Sequence, residues 1–148
     1  MARAGRLLAA RPRAERELRD RLAGAGFEPE VVDWVIARLT ELGLVDDTAF
    51  ARQWIEERSR RGKAGRALVH ELTARGVARE TAQSALAAAG LDESAQAQAV
   101  AARHAVRVAR LPLSQQAARI GAALLRRGYS SDVVAEAVRA VLPPDGWD

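Results

Sequence analysis

Five cations crowd nine residues of this chain: Arg58, Arg60, Arg61, Lys63 and Arg66 stand around Gly62, with Gly65 adding local freedom. Like charges at this spacing repel one another, so they are tolerable when solvated and useful when they meet phosphates or acidic side chains. Two more basic groups follow. Arg103, Arg107 and Arg110 are spaced as a helical stripe, and Arg126-Arg127 stands directly before Gly128. Anion binding is the chemistry open to these residues. The competing account is a solvated helix face with no partner. Aromatic residues make up only 4% of the chain, so few rings are available for base stacking, and sequence-specific reading of single strands is not expected.

Other chemistry fails on spacing. Glu71 follows His70 as in a zinc-protease helix, but the residue one turn beyond His70 is Ala74, so the metal pair is missing. Gly62-Lys63 resembles the end of a phosphate loop, yet the upstream glycine position holds Glu57 and the residue after Lys63 is Ala64. His70 and His104 are far apart in sequence and fit structural positions better than ligand positions. Asp46-Asp47 could pair on a divalent ion. A helix cap for one and a favourable first-turn charge for the other is the simpler reading. The absence of cysteine removes disulfides, thiolate metal sites and a Cys nucleophile, and agrees with a reducing compartment. No Ser, His and Asp set has motif context. A non-enzyme is expected, with no catalytic residue, no metal and no cofactor.

The charge is strongly patterned although the net value is only +4. Residues 1–26 hold seven Arg and three acids, and residues 27–57 hold two Arg and eight acids. Residues 58–79 hold seven basic residues and one acid, residues 80–102 three acids and no basic residue, and residues 103–139 seven Arg and two acids. Folding should turn these blocks into basic and acidic faces. The apolar run after Arg3 and Arg6, Leu7 to Ala10, is too short for a signal peptide, and no apolar stretch approaches the roughly 20 residues of a membrane span. A soluble, cytoplasmic protein is expected.

The elements that must carry these residues repeat. Leu18, Leu22, Gly26 and Phe27 recur as Leu68, Leu72, Gly76 and Val77, then as Ile120, Leu124, Gly128 and Tyr129, at offsets of 50 and 52 residues. A second apolar series follows each copy: Val32, Ile36, Leu39; Ala82, Leu86, Ala89; Val134, Val138, Val141. Such a period marks a row of similar modules. An Ala-, Leu-, Arg- and Glu-rich composition without alternating runs points to helices. The spacing predicts helices over 3–10, 13–24, 29–42, 47–60, 63–75, 78–89, 92–110, 113–127 and 131–141. Asp46 or Asp47, Asp92 and Ser130 stand as N-caps, Pro29 in a first turn, and Gly26, Gly76, Gly90 and Gly128 as C-terminal stops.

The fold class is therefore all-α: three tandem three-helix repeats in an elongated, curved arrangement. The expected divisions are 1–45, with a leading helix that looks truncated, then 46–90, 91–142 and a tail 143–148. Val32, Val35, Ile36, Leu39 and Leu42 trace one stripe at helical period. Phe50 and Trp54 lie one turn apart, with Ala102 and Val106 as counterparts 52 residues on. Trp34 and Trp54 are expected in the core, and Trp147 exposed in the tail. The central repeat, with Ala82, Ala85, Leu86 and Ala89 on its third helix, should bury the least.

This pattern resembles the RecX family of bacterial recombination regulators over about residues 6–142. The most specific stretch is Gly43-Leu44-Val45-Asp46-Asp47-Thr48-Ala49-Phe50-Ala51. It continues through Arg58, Gly62-Lys63, Glu71-Leu72 and Arg75-Gly76-Val77, with Glu17-Leu18 and Leu22 before and Arg127-Gly128-Tyr129-Ser130 after. The resemblance implies three helical repeats acting on RecA, the ATPase that polymerises on single-stranded DNA. Such proteins lie in the groove of the RecA–DNA filament and commonly block its extension or promote its disassembly. Expected partners are the RecA filament, single-stranded DNA and also double-stranded DNA, bound by a monomer. Arg58, Arg60, Arg61, Lys63, Arg66, Arg103, Arg107, Arg110, Arg126 and Arg127 are the candidate contacts. Two alternatives stand beside this one: a helical protein that suppresses RecA by occupying DNA, and a helical-repeat adaptor for another protein.

Overall fold

The computed structural model describes residues 1–10 and 12–144. Among them lie nine helices and no strand: α1 (Ala2–Ala10), α2 (Glu15–Gly24), α3 (Pro29–Glu41), α4 (Asp47–Arg60), α5 (Gly65–Ala74), α6 (Arg79–Ala89), α7 (Glu93–Arg107), α8 (Leu113–Arg126) and α9 (Ser131–Val141). Two compact units emerge, residues 1–55 with 69–89, and residues 56–68 with 90–148, and their boundaries fall inside α4 and α5. Trp147 lies outside the described residues.

The repeated glycine ends the second helix of each triplet in the same way. Gly26, Gly76 and Gly128 have φ of 91°, 90° and 95°, a region that side chains disfavour. The next amide then bonds back to the helix: Phe27 N to Leu22 O, Val77 N to Leu72 O and Tyr129 N to Leu124 O, at 3.3, 3.0 and 3.3 Å. This turn sets the two helices side by side.

In the first unit α2 packs on α1 and α3, and Leu18, Leu22, Val32, Val35, Ile36, Leu39 and Val45 form a buried cluster. Leu68 belongs to the second unit, but Leu72 and Val77 are buried in the first, with Ala82 and Ala85 of α6. Trp54 is half-buried there, stacked on Phe50 at 5.7 Å between centroids, and its indole N–H donates to Glu71 at 2.9 Å. In the second unit α7, α8 and α9 pack on one another around Val100, Ile120, Leu124, Tyr129 and Val138.

Three expectations need correction. Trp34 is 62% exposed and Leu42 51% exposed, so neither belongs to the core. Trp34 falls on the opposite side of α3 from Val32, Ile36 and Leu39, two residues out of phase with the stripe. The counterparts of Phe50 and Trp54 are also misassigned, because Ala102 and Val106 are exposed. The N-caps Asp46 and Asp92 set an offset of 46 between α4 and α7, which pairs Ala51 with Ala97, Trp54 with Val100 and Ile55 with Ala101. Only three residues link α6 to α7, against five between α3 and α4. Finally, α7 stops at Arg107 rather than at residue 110. The buried Gln116 side chain donates to the carbonyls of Ala109 and Leu111, at 3.3 and 2.7 Å, and holds this stretch as a turn.

Helix starts are capped partly from afar. Asp46 accepts from the Thr48 and Ala49 amides, Asp92 from Ala95 and Ser130 from Val133. The N-cap position of α2 is the buried Ala14, which offers no side-chain acceptor. The Asp47 carboxylate, from the start of α4, accepts the Glu15 amide at 2.9 Å instead. In the second unit Glu93, at the start of α7, accepts the Gly65 amide of α5 at 2.8 Å.

Burial pushes the Asp47 carboxyl above the ordinary Asp value, the bond from the Glu15 amide opposes this, and the Glu15 and Asp46 charges add to the rise. The folded protein therefore binds this proton more tightly than the unfolded chain. Stability falls as pH rises from the ordinary carboxylate value through the raised one. Asp47→Ala should cost about 1 kcal/mol by denaturant unfolding. Asp47→Asn keeps an acceptor without a charge, so it should be no less stable than the parent at neutral pH and lack this pH dependence. An Asn variant as unstable as the Ala variant would refute the capping role. Leu72→Ala, at a fully buried position, should cost about 2–5 kcal/mol in the same assay.

Candidate nucleic-acid interface

All ten candidate cations fall in the second unit. Arg58 and Arg60 end α4, Arg61 and Lys63 form the turn to α5, and Arg66 lies in the first turn of α5. Arg103 and Arg107 are on α7, Arg126 ends α8 and Arg127 is its C-cap. Arg110 lies in the turn beyond α7, so it does not extend the stripe of Arg103 and Arg107.

The turn at residues 61–64 is fastened at several backbone atoms. Gly62 has φ of 90°, and a Cβ there would lie 2.5 Å from Val100 Cγ2, so only glycine lets the turn sit against α7. The Ala64 amide donates to Arg127 O at 3.0 Å, and Arg127 Nη1 donates to Arg61 O at 3.0 Å. The fully buried Tyr129 hydroxyl donates to Gly62 O at 2.8 Å. Gln96 of α7 donates to Ser59 O at 3.3 Å. Burial, and next the Glu93 charge, raise the Tyr129 phenol above its ordinary value, opposed by Arg127 and Arg103, so it remains a donor.

The cations converge on this turn. A Cβ at Gly62 would lie 3.4 Å from Arg127 Nη1 and 3.6 Å from Arg103 Nη2, which brings both guanidinium groups to the backbone between Arg61 and Lys63. His104 registers the same field. Burial first, then Arg127, Arg107, Arg126 and Arg103, hold its imidazole below the ordinary histidine value. The structure thus brings the Arg103 and Arg127 guanidinium groups to the Gly62 turn, and Arg107 and Arg126 act with them on His104. Arg60 bonds Glu56 at 2.7 Å and Arg61 bonds Glu57 at 3.1 Å, both exposed pairs one turn apart. Such pairs are weak and exchange readily for a phosphate partner. Arg58 and Lys63 are half-buried, and Arg66 is exposed.

Sequence reasoning missed Tyr129, Gln96 and His104 as parts of this site. Tyr129 carried a signal: a hydroxyl at the repeat position where Phe27 and Val77 have none. No aromatic side chain of the second unit is exposed among the described residues, so the cluster offers charge without a stacking platform. A charged cleft of the first unit, about 400 Å³, is lined by Arg16, Glu17, Asp20, Arg21 and Arg75. Its cations are partly engaged: Arg75 sits 3.9 Å from Glu17 and stacks over Trp54 at 4.4 Å.

Comparison with known proteins follows the repeat. Family models for the first, second and third three-helix domains of RecX match residues 1–39, 46–86 and 92–138. The chain is 42% identical over 142 residues to the regulatory protein RecX of Mycobacterium ulcerans (strain Agy99), covering 93% of this chain and 81% of that one. It is 36% identical over 147 residues to the regulatory protein RecX of Streptomyces lividans, covering 97% and 77%. In fold it is similar to the crystal structure of RecX from Lactobacillus salivarius, with a TM-score of 0.81, 20% identity, and coverage of 95% and 92%. The chain belongs to the RecX family, whose members compared above are regulatory proteins by name.

Proposed function

We propose that this protein binds the RecA–single-stranded DNA filament and lowers RecA recombinase, ATPase and co-protease activity, without catalysis of its own. It acts in the cytoplasm as a monomer. The observation that carries the reading is the approach of the Arg103 and Arg127 guanidinium groups to one fastened turn that also bears Arg61, in a chain of this family. Phosphates are the natural occupant. Arginine binds them in a planar, two-pronged fashion, and binding to the sugar–phosphate backbone needs no exposed aromatic ring. His104 adds no charge while it is neutral, so the arginines alone supply the attraction near neutral pH.

RecA ATPase on excess single-stranded DNA, titrated with this protein, tests the reading. Inhibition well below one protein per RecA subunit is expected, from binding on the filament. Inhibition that vanishes as DNA is added would favour simple occupation of DNA, and no inhibition would remove the filament reading. Arg103→Glu with Arg126→Glu should weaken binding to single-stranded oligonucleotides and flatten its salt dependence, by about 0.7 unit in log–log slope for each phosphate that is no longer neutralised. Thermal midpoints should be unchanged, because both side chains are exposed. Arg61→Glu with Lys63→Glu should act in the same direction.

A further inference from the structure

The first unit carries an apolar surface that the basic cluster does not use. Of the large hydrophobic residues exposed among the described residues, five lie within residues 27–44: Phe27, Val31, Trp34, Leu42 and Leu44. Val31, Trp34 and Leu42 are 45%, 62% and 51% exposed, and helical spacing aligns them with Arg38 along the outer side of α3. The repeat supplies an internal control. The residues equivalent to Trp34 at the 50- and 52-residue offsets are Ser84 and Glu136, both polar, and neither is buried. Packing therefore does not require an apolar residue at this position, and only the first repeat places its largest side chain in water there.

The surroundings are acidic, and only in part selectively so: Glu80 and Asp132 keep an acid at the Glu30 position, whereas Leu91 and Pro143 stand where Glu41 does. Glu30 and Glu41 flank Trp34 on this side of α3, and Arg38, the cation within the stripe, is bonded to Glu41 at 3.2 Å. Glu28 extends the charge, as does Asp33, which is bonded to Arg19, where the second and third repeats have Ala78 and Gln83, then Ser130 and Ala135. A symmetric contact with a second copy would set these acids against one another. An anionic membrane or nucleic acid meets the same repulsion. We infer that the Val31–Trp34–Leu42 side of α3 docks a basic amphipathic helix of a partner protein, with its apolar stripe on Trp34 and its cations on the acidic rim. Helix recognition through anchors at helical spacing is a recurring mode, and a Trp buried in this way commonly dominates the binding energy.

A fluorescent synthetic helix with leucine on one face and lysine on the other is the probe, followed by anisotropy with the full chain at low salt. Binding is expected, with Trp34 emission shifting to the blue. Trp34→Ser and Glu30→Lys should each weaken it by about tenfold, or about 1.4 kcal/mol. Both variants should retain the parent affinity for single-stranded oligonucleotides; Trp34→Ser should keep the parent thermal midpoint, and Glu30→Lys, which loses the first-turn acid of α3, should lower it slightly. No binding by the parent, or equal binding by either variant, overturns the inference. So does a parent dimer in sedimentation that Trp34→Ser dissolves, since a second copy would then own the surface. Pelleting with RecA filaments, run in parallel, reports on the proposed function alone: unchanged pelleting of variants that lose the peptide shows that the filament is not the source of the helix.

Discussion

The start of the middle helix in the first two repeats is a place where the chain cannot cap itself. Ala14 and Ala64 occupy the N-cap positions, are fully buried, and have no side-chain oxygen. The free amides of the first turn must find acceptors elsewhere, since a buried amide without one costs about 1–3 kcal/mol. Asp47 and Glu93 provide them from the start of a later helix. This need fixes where α4 lies against α2, and where α7 lies against α5. In the second unit it also builds the site. With Glu93 on the Gly65 amide, Arg127 O on the Ala64 amide and Tyr129 on Gly62 O, the turn bearing Arg61 and Lys63 is tied to the start of α7 and to the α8–α9 turn.

A fastened turn explains how several arginines can share a small region. Each guanidinium repels the next, and a mobile loop would let them separate. Here Arg127 commits one nitrogen to Arg61 O, which orients the group and leaves its remaining donors outward. The neutral state of His104 is the other adjustment: protonation would place a further cation beside four arginines, and the fold disfavours it. The sign follows directly. The neutral imidazole is fully favoured above the ordinary histidine value, and the fold loses that contribution as pH falls through the lowered one. Among the described residues no helix is long and apolar enough to cross a membrane.

Much of this architecture is legible in the residues. The glycine turns are readable because positive φ restricts the choice of residue, and the N-caps because short acceptors at helix starts are few. The number and order of helices follow from those marks and the apolar period. Reading fails where a distant group decides. Nothing local to Val108–Arg110 says that Gln116 will bond the Ala109 and Leu111 carbonyls and hold this stretch as a turn. Trp34 reads as core only when hydrophobicity is weighed above phase. Charge density picks out ten cations that all fall in the second unit, but it does not separate Arg103 and Arg127, which reach the Gly62 turn, from Arg110. That distinction depends on which helix end meets the Gly62 turn.

The two carboxylate caps differ by one methylene, and so do their settings. Where five residues, 42–46, lead into α4, the cap is an aspartate; where three, 90–92, lead into α7, it is a glutamate. The side chain with the longer reach stands where the connecting backbone is shorter. The junctions are thus keyed individually, although the helices they join follow one pattern. A repeat transplanted into its neighbour's place would carry a key cut for another lock. The chain can tolerate drift in its helix surfaces more readily than a reshuffling of its modules.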